Sequence, residues 1–212
     1  MTLLDLNPDQ LLSTTRAVRK RLDFDRAVPD DLIRECVAMA LQAPSGSNVV
    51  TQRFVVVRDE EKRKRVGDVY RQVYAGYKAS AGYPGRPTGD PERDLVQARV
   101  AGSADLLGER MGDAPVLVLA CNEAPTREIA VASMSNVIPG MWSFMLAARA
   151  RGLGTAWTSM HLAREREVAD ILGIPYDTVA QAVLTPVAFT RGTDFKAAAR
   201  PAPDEVIHWD TW

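Results

Sequence analysis

Helical and strand-like segments alternate along the chain, which predicts one domain of mixed α and β structure. Apolar runs of strand length occupy residues 53–58, 114–121 and 179–189. Segments between these runs repeat apolar side chains every three or four residues, as helices with one buried face do. The chain has 212 residues, of which 46% are hydrophobic, so it is long enough to bury a sizeable core.

The composition excludes several classes of partner. A formal net charge of -1 gives no electrostatic argument for binding nucleic acid or a membrane surface. No apolar run approaches the length of a membrane span, and the N-terminus lacks a basic-then-apolar signal pattern. Cys36 and Cys121 lie in apolar runs, which predicts two buried thiols in a reducing, cytoplasmic compartment. His161 and His208 show no metal-ligand spacing.

The first helix is predicted to begin at Pro8, with Asn7 as its cap and Gln10 returning to that cap. It leads into Ser-Thr-Thr-Arg-Ala-Val-Arg at 13–19, where two arginines stand three residues apart. A solvated basic face explains most such pairs. The alternative is a phosphate clamp, because guanidinium groups match phosphate oxygens in a bidentate way.

A polar loop, Ser-Gly-Ser-Asn at 45–48, follows the second helix. That helix begins after Pro29, and Pro44 is predicted to end it because proline lacks the amide that the helix needs. The strand at 53–58 has a near-continuous apolar centre, which predicts cover on both faces. The loop can present backbone N–H groups and short polar side chains to a ligand, although an ordinary helix-to-strand turn has the same composition.

Glycine and proline are concentrated in residues 81–91, where six of them occur. We predict a surface excursion or lid rather than a linker, because the core pattern resumes beyond it. With its flanking helices the lid is expected over about 68–112. Three tyrosines here, which either shape a substrate pocket or only pack together, are Tyr74, Tyr77 and Tyr83.

The second half of the chain has the most apolar elements. The strand at 114–121 is predicted to be central, and the helix at 134–151 is apolar nearly all round, with Pro139 starting or kinking it. Such a helix belongs in a core spine or a subunit interface. The following stretch, Gly-Leu-Gly-Thr-Ala-Trp-Thr-Ser at 152–159, again places backbone and small polar groups at the end of an element.

The last predicted strand, 179–189, contains Pro186, which predicts an edge position or a bulge. Beyond about residue 190 the core periodicity ends, so a C-terminal arm is expected there. The arm ends in His-Trp-Asp-Thr-Trp at 208–212. Because free tails seldom carry tryptophan, we expect this one to pack on another surface, such as a second subunit.

Three of these motifs, in this order, resemble the FMN-dependent nitroreductase family: Thr15–Arg19, Ala43–Asn48 and Gly152–Thr155. The resemblance extends over residues 13–212, and the closing His-Trp-x-Thr-Trp is similar to the actinobacterial branch. It implies one α+β domain over residues 1–212, in which helices wrap a mixed sheet. It also implies an intertwined homodimer with two FMN molecules at its interface.

The resemblance further implies which residues bind FMN. The first motif would meet the phosphate and ribityl chain, with arginine usual in the family at position 15 and serine at 17. Val50-Thr51-Gln52 replaces a Gln-Pro-Trp-like stretch, which weakens the case for ring contacts there. Arg200 is preferred to Lys196 on the phosphate because it precedes the proline-rich tail. The implied cofactor-binding residues are Thr15, Arg16, Ala17, Val18, Arg19, Ser45, Ser47, Asn48, Trp157, Thr158, Ser159, Lys196 and Arg200.

The activity implied by the resemblance is that of an NAD(P)H oxidoreductase with ping-pong hydride transfer. Flavin N5 carries the chemistry, so no catalytic side chain and no metal are expected, with Thr158 and Ser159 as candidates for tuning N5. The acceptor would be a nitroaromatic, a quinone or a similar electron-poor molecule. The alternatives are a reductive dehalogenase, a flavin-fragmenting enzyme, a flavin-binding protein without turnover, or a non-flavin binder.

Overall fold

The structure is a computed structural model that describes residues 3–212. Its helices are α1 (Pro8–Thr14), α2 (Asp30–Ala40), α3 (Glu60–Ala79), α4 (Pro91–Arg110), α5 (Arg127–Ala132), α6 (Ile138–Ala150) and α7 (Glu165–Leu172). Its strands are β1 (Leu22–Asp23), β2 (Gln52–Val57), β3 (Val116–Glu123), β4 (Leu153–Thr155) and β5 (Val179–Thr190). The predicted capping box at the start of α1 is confirmed, with Asn7 and Gln10 bonded reciprocally.

The predicted α+β class is confirmed. The five strands form one sheet in the order β1-β5-β3-β2, with β4 also paired to β5. These four ladders are antiparallel, and an isolated parallel bridge joins Ala17 to Thr155. Helices α2 and α6 cover one face, whereas α3, α4 and α7 cover the other. The predicted central strand is β3, which is buried along nearly its whole length.

Of the two alternatives predicted for the last strand, the edge position is wrong, because β5 lies between β3 and β4. A bulge does interrupt the β3–β5 register, but between Ala120 and Cys121 and not opposite Pro186. Successive backbone N–H groups of a strand point alternately to its two neighbouring strands, and this explains how proline is tolerated in β5. Leu184 donates its N–H to the carbonyl of Thr158 at 3.0 Å, and Pro186 faces the same side two residues later. At that point the neighbouring pairing is interrupted between Thr155, where β4 ends, and Thr158. The missing N–H of Pro186 therefore falls in a gap.

Strand β2 has apolar cover on both faces, as predicted: Phe54 packs against the cluster of α2 and α6, whereas Val55 and Val57 pack against the cluster of α3, α4 and α7. It is nevertheless an edge strand whose middle residues are only partly buried. Two boundaries differ from expectation. Helix α2 ends at Ala40, so a turn, and not Pro44, terminates it. The apolar helix, predicted from residue 134, begins only at Ile138. Pro139 lies in its first turn, so of the two predicted outcomes it starts the helix and does not kink it. Cys36 and Cys121 are both buried free thiols, as predicted.

Two glycines in α3 offer a matched test of this packing. A Cβ on Gly67 would lie 2.6 Å from the backbone of Gly112, whereas a Cβ on Gly76 would meet nothing within 4 Å. We expect Gly67→Ala to lower the free energy of unfolding by roughly 1–3 kcal/mol through overpacking. Gly76→Ala should raise it by about 0.5–1 kcal/mol, because alanine favours helix. Urea denaturation measures both, and equal changes would contradict the close approach of α3 to Gly112.

Candidate functional site

The arginine motif lies against the end of β4. The N–H of Val18 donates to the carbonyl of Thr155 at 2.8 Å, and Ala17 forms a parallel bridge with the same residue. Helix α1 ends just before, because Thr15 is extended. Val18 is buried, so its neighbours in the extended segment are held at the surface on a fixed backbone. The first and third sequence motifs are therefore direct neighbours.

The start of the C-terminal arm lies on the same motif. Arg16 donates from Nη1 to the carbonyl oxygen of Lys196 at 2.8 Å. Arg21 bonds the carbonyl of Arg191 at 2.9 Å and pairs with the carboxylate of Asp194 at 2.5 Å. These contacts bring together residues about 180 positions apart in the sequence. They place Lys196 beside the arginine motif.

A concave site of about 390 Å³ lies between the motif, the arm and α4. We call it the basic cavity; its lining residues are Arg16, Ala17, Val18, Arg19, Lys20, Arg21, Ser103, Asp194, Phe195 and Lys196. Its single carboxylate, Asp194, is paired with Arg21. Among residues 3–212 no salt bridge involves the other four cations. The basic cavity can therefore bind an anion with several unpaired cations at once.

Arg149, near the end of α6, lies behind the basic cavity and is only 4% exposed. Its Nη2 donates to the carbonyl of Thr193 at 2.9 Å, and its guanidinium lies 4.9 Å from the ring centre of Phe195. Burial, and the nearby charge of Arg21, lower its pKa. No carboxylate of the described chain pairs with it. Sequence analysis missed this residue because one arginine in an apolar helix resembles a helix-ending cation.

The loop after β4 continues the site. Thr158 is buried and donates both its N–H (3.1 Å) and its hydroxyl (2.6 Å) to the carbonyl of Leu184. Both of its donors are thus used inside the chain, which favours Ser159 over Thr158 as a donor to a flavin N5. Trp157 and Ser159, on either side, are exposed and face outward. They are the residues of this loop that can touch a ligand.

Tyr70 of α3 is buried between this loop and the arginine motif. Burial raises the pKa of its hydroxyl, whereas the neighbouring Arg19 guanidinium and a contact with Thr158 lower it. Three separate segments therefore meet at one point. The proximity of Tyr70 could not be read from the sequence, where it belongs to an ordinary amphipathic repeat.

The Ser-Gly-Ser-Asn loop lies elsewhere on the chain and does not line the basic cavity. Ser47 and Asn48 both have left-handed backbones, with φ of 53° and 56°. Two such residues in succession are strained, and strain of this kind marks functional loops. The loop is held by Asn136, whose Oδ1 accepts from the N–H of Gly46 at 3.3 Å. Sequence analysis gave no sign of Asn136.

Arg200 also lies outside the basic cavity. It is exposed, and among the described residues its hydrogen bond is to the carbonyl of neighbouring Ala199. Of the two predicted C-terminal cations, only Lys196 lies beside the arginine motif of the same chain. The structure thus brings residues 16–19 and Lys196 together in the basic cavity, whereas 45–48 and Arg200 do not line it. The loop at 157–159 lies near the motif through Thr155 and Tyr70, but Trp157 lines a separate pocket with residues of α6 and β5.

The lid tyrosines pack together. Tyr74 and Tyr83 both donate to the carboxylate of Asp105, at 3.0 and 2.8 Å, and Lys78 adds an ion pair at 3.1 Å. Rings of Tyr74, Tyr77 and Tyr83 follow one another at about 6 Å. These contacts favour the packing interpretation of the three tyrosines. Opening and closing of the lid stays a prediction.

In residues 3–212 there is no cluster of histidine, cysteine, aspartate and glutamate arranged to hold a metal ion. The same part of the chain has no helix both long and apolar enough to cross a membrane.

The chain is similar in sequence to known proteins. The family model described as "Nitroreductase family" matches residues 12–187. A putative NADH dehydrogenase/NAD(P)H nitroreductase of Archaeoglobus fulgidus is 24% identical, and the alignment covers 96% of this chain and 97% of that protein.

Solved structures share the fold. An iodotyrosine deiodinase bound to FMN and 3-iodo-L-tyrosine superposes with a TM-score of 0.71 at 20% identity, covering 95% of this chain and 98% of that one. A mutant of an FMN and NADPH-dependent nitroreductase from sphigopyxis sp. strain HMH gives 0.69 at 22% identity, covering 98% and 100%. At these identities the likeness establishes the fold alone.

His161, just after the loop, generates a pH prediction. It is fully buried, neither ring nitrogen has a partner in the described chain, and burial lowers its pKa to about 4. The unfolded chain, with an ordinary pKa of about 6.5, binds the proton first, so stability falls as the pH drops from about 6.5 to 4. The shift corresponds to roughly 3 kcal/mol of that fall.

We expect His161→Leu to reduce the loss of unfolding free energy between pH 7 and pH 4 by about that amount. His208→Leu, at the exposed second histidine, is the matched control and should leave the loss unchanged. Urea denaturation at several pH values measures it. A His161→Leu profile parallel to that of the wild type would show that this histidine is not buried in its neutral form.

Proposed function

We propose that this chain, which belongs to the nitroreductase family, is an FMN-dependent NAD(P)H oxidoreductase. The observation that carries the proposal is the basic cavity. It combines an arginine motif with a C-terminal lysine, and four of its five cations have no carboxylate partner among the described residues. A phosphate monoester with close to two negative charges fits such a set through charge-assisted hydrogen bonds.

The described residues fit FMN in the following way. Arg16, Arg19 and Lys196 would hold the phosphate, because all three line the basic cavity without a carboxylate partner. The motif backbone at 15–18 would run beside the ribityl chain. Trp157 and Ser159 would lie along the ring, with Ser159 as the side chain that can still donate near N5, since Thr158 is bonded to Leu184. Lys196 replaces Arg200 as our preferred phosphate ligand.

FMN, when bound, accepts a hydride from a nicotinamide coenzyme and passes electrons to a second substrate. The chain contributes position and charge. The fixed backbone at Val18 sets the distance between the phosphate grip and the loop at 157–159. The positive charge of Arg16 and Arg19 would stabilise negative charge on a bound flavin.

We further propose ping-pong turnover, in which NAD(P)H leaves before a nitroaromatic, a quinone or a similar electron-poor small molecule enters. The exposed face of the loop at 157–159 would serve both in turn. Parallel lines in double-reciprocal plots are expected, and intersecting lines would contradict this order of events.

Buried thiols at Cys36 and Cys121 support a reducing, cytoplasmic compartment.

The functional unit is proposed to be a homodimer. The loop at 45–48, strained as functional loops are, does not reach the basic cavity of its own chain, so a second copy would supply it. Trp209 and Trp212 are 80% and 100% exposed in the single chain. Aromatic side chains so exposed are typical of surfaces that a partner covers. A monomeric mass in sedimentation equilibrium would contradict this assembly.

Reductive dehalogenation is the second candidate. The observation behind it is the fold shared with an iodotyrosine deiodinase over nearly the whole of both chains. Halide release from a halogenated aromatic, under reducing conditions that leave nitroaromatics and quinones unreduced, would favour this activity over the first. A flavin-binding protein without turnover would do neither.

The phosphate grip generates a direct prediction. Arg16→Ala should weaken FMN binding by about 10- to 150-fold, since a hydrogen bond to a charged group contributes roughly 1.5–3 kcal/mol. Flavin fluorescence titration of the apoprotein measures the dissociation constant. Arg71→Ala, which removes an exposed arginine paired with Asp68 on α3, is the matched control and should bind FMN normally.

Because Arg16 also bonds the carbonyl of Lys196, Arg16→Lys tests charge separately from that contact and should recover part of the affinity. Arg16→Ala protein that binds FMN as tightly as the wild type would remove Arg16 from the phosphate site.

A further inference from the structure

The basic cavity contains more positive charge than one FMN phosphate neutralises. Five cationic side chains line it, and the single carboxylate is paired with Arg21. An FMN phosphate supplies about two negative charges. About two cations therefore stay uncompensated with FMN bound, in a protein whose formal net charge is only -1. Such a local surplus indicates a second anion.

The cations that line the cavity have different neighbours. Arg16 is bonded to the carbonyl of Lys196 in the arm. Lys20 lies against α4, because its Nζ would be 3.5 Å, an ordinary contact distance, from a Cβ placed on Gly102. The next residue, Ser103, also lines the cavity.

Asp105, the acidic residue of α4 closest in sequence to Gly102, does not pair with the ammonium group of Lys20. Asp105 is bonded by Tyr74, Tyr83 and Lys78. Among residues 3–212, no carboxylate forms a salt bridge with Lys20. An ammonium group and a serine hydroxyl that line the same cavity, and have no side-chain hydrogen bond within the described residues, are a suitable pair for a phosphate monoester.

We propose that Lys20 and Ser103 form a second anion subsite, which binds the 2′-phosphate of NADPH and makes the enzyme select NADPH over NADH. The inference rests on the proposed function and deepens it. The two coenzymes differ only by that phosphate monoester, so a cation that binds it sets the preference. The subsite would lie on the α4 wall of the cavity, whereas Arg16 and Lys196, which would hold FMN, belong to the motif and the arm.

Two measurements test the subsite, one independent of turnover. Calorimetric titration of FMN-loaded protein with adenosine 2′-monophosphate should show binding that adenosine lacks, and Lys20→Gln should weaken it at least about tenfold, as loss of a charge-assisted bond does. In steady-state assays the ratio of kcat/KM for NADPH over NADH should fall by a similar factor, through KM. Lys62→Gln, an exposed lysine on α3, is the matched control.

The kcat/KM for NADH and the affinity for FMN should be unchanged in Lys20→Gln, and Ser103→Ala should show a smaller loss in the same direction. Equal loss with both coenzymes together with weaker FMN binding would place Lys20 in the FMN site and overturn the proposal. So would a wild-type protein that binds adenosine 2′-monophosphate no better than adenosine. Failure to oxidise either coenzyme would instead sink the proposed function, which the nucleotide titration distinguishes.

Discussion

The backbone pairing of Val18 with Thr155 is the contact on which the rest of the site depends. It fixes an extended, arginine-rich segment against the end of β4, and the same segment then bonds the start of the C-terminal arm through Arg16. Like charges so close together repel by roughly 1–4 kcal/mol per pair near a protein surface. The backbone hydrogen bond between Val18 and Thr155 involves no charged side chain, so it can hold the cations close together until an anion binds.

Other features of the site make sense as consequences of concentrating charge. Phe195 is stacked by Arg21, at 4.3 Å from its ring centre, and by Arg149. Its ring contacts two guanidinium groups and so helps the Arg21–Asp194 ion pair to anchor the arm. Two buried nitrogens of Arg149 have no hydrogen-bond partner among the described residues, and their desolvation destabilises the fold. An incoming dianion relieves part of the repulsion, which couples ligand binding to the order of the arm.

Much of the fold could be predicted from the sequence because local rules decided it. The α1 cap followed from Asn7 and Gln10, and the central position of β3 followed from its unbroken apolar run. Pro186 misled because its tolerance depends on a gap in the pairing of a neighbouring strand, which no local pattern reveals. The start of the apolar helix was misjudged because its composition does not change where the backbone becomes helical.

The site divided in the same way. That Arg16 and Arg19 lie together could be predicted because charge in a short motif is visible in the sequence, whereas the sequence favoured Arg200 over Lys196 for the arm. The positions of Arg149, Asn136 and Lys20 could not be predicted, since long-range folding decides what lies beside them. Thr158 was the opposite case: a suitable side chain whose donors are already bonded to a strand. Residue type indicates what a group can do, and only its partners show whether it is free to do it.

The central claim is that this chain carries electrons through FMN, and the most direct test is the absorbance spectrum of the purified protein under anaerobic conditions. Flavin bands that bleach on addition of NADPH or NADH, and return when a nitroaromatic or quinone is added, are the expected result. A colourless protein that stays colourless after reconstitution with FMN would contradict the account. Flavin bands that never bleach with either coenzyme would contradict its electron path.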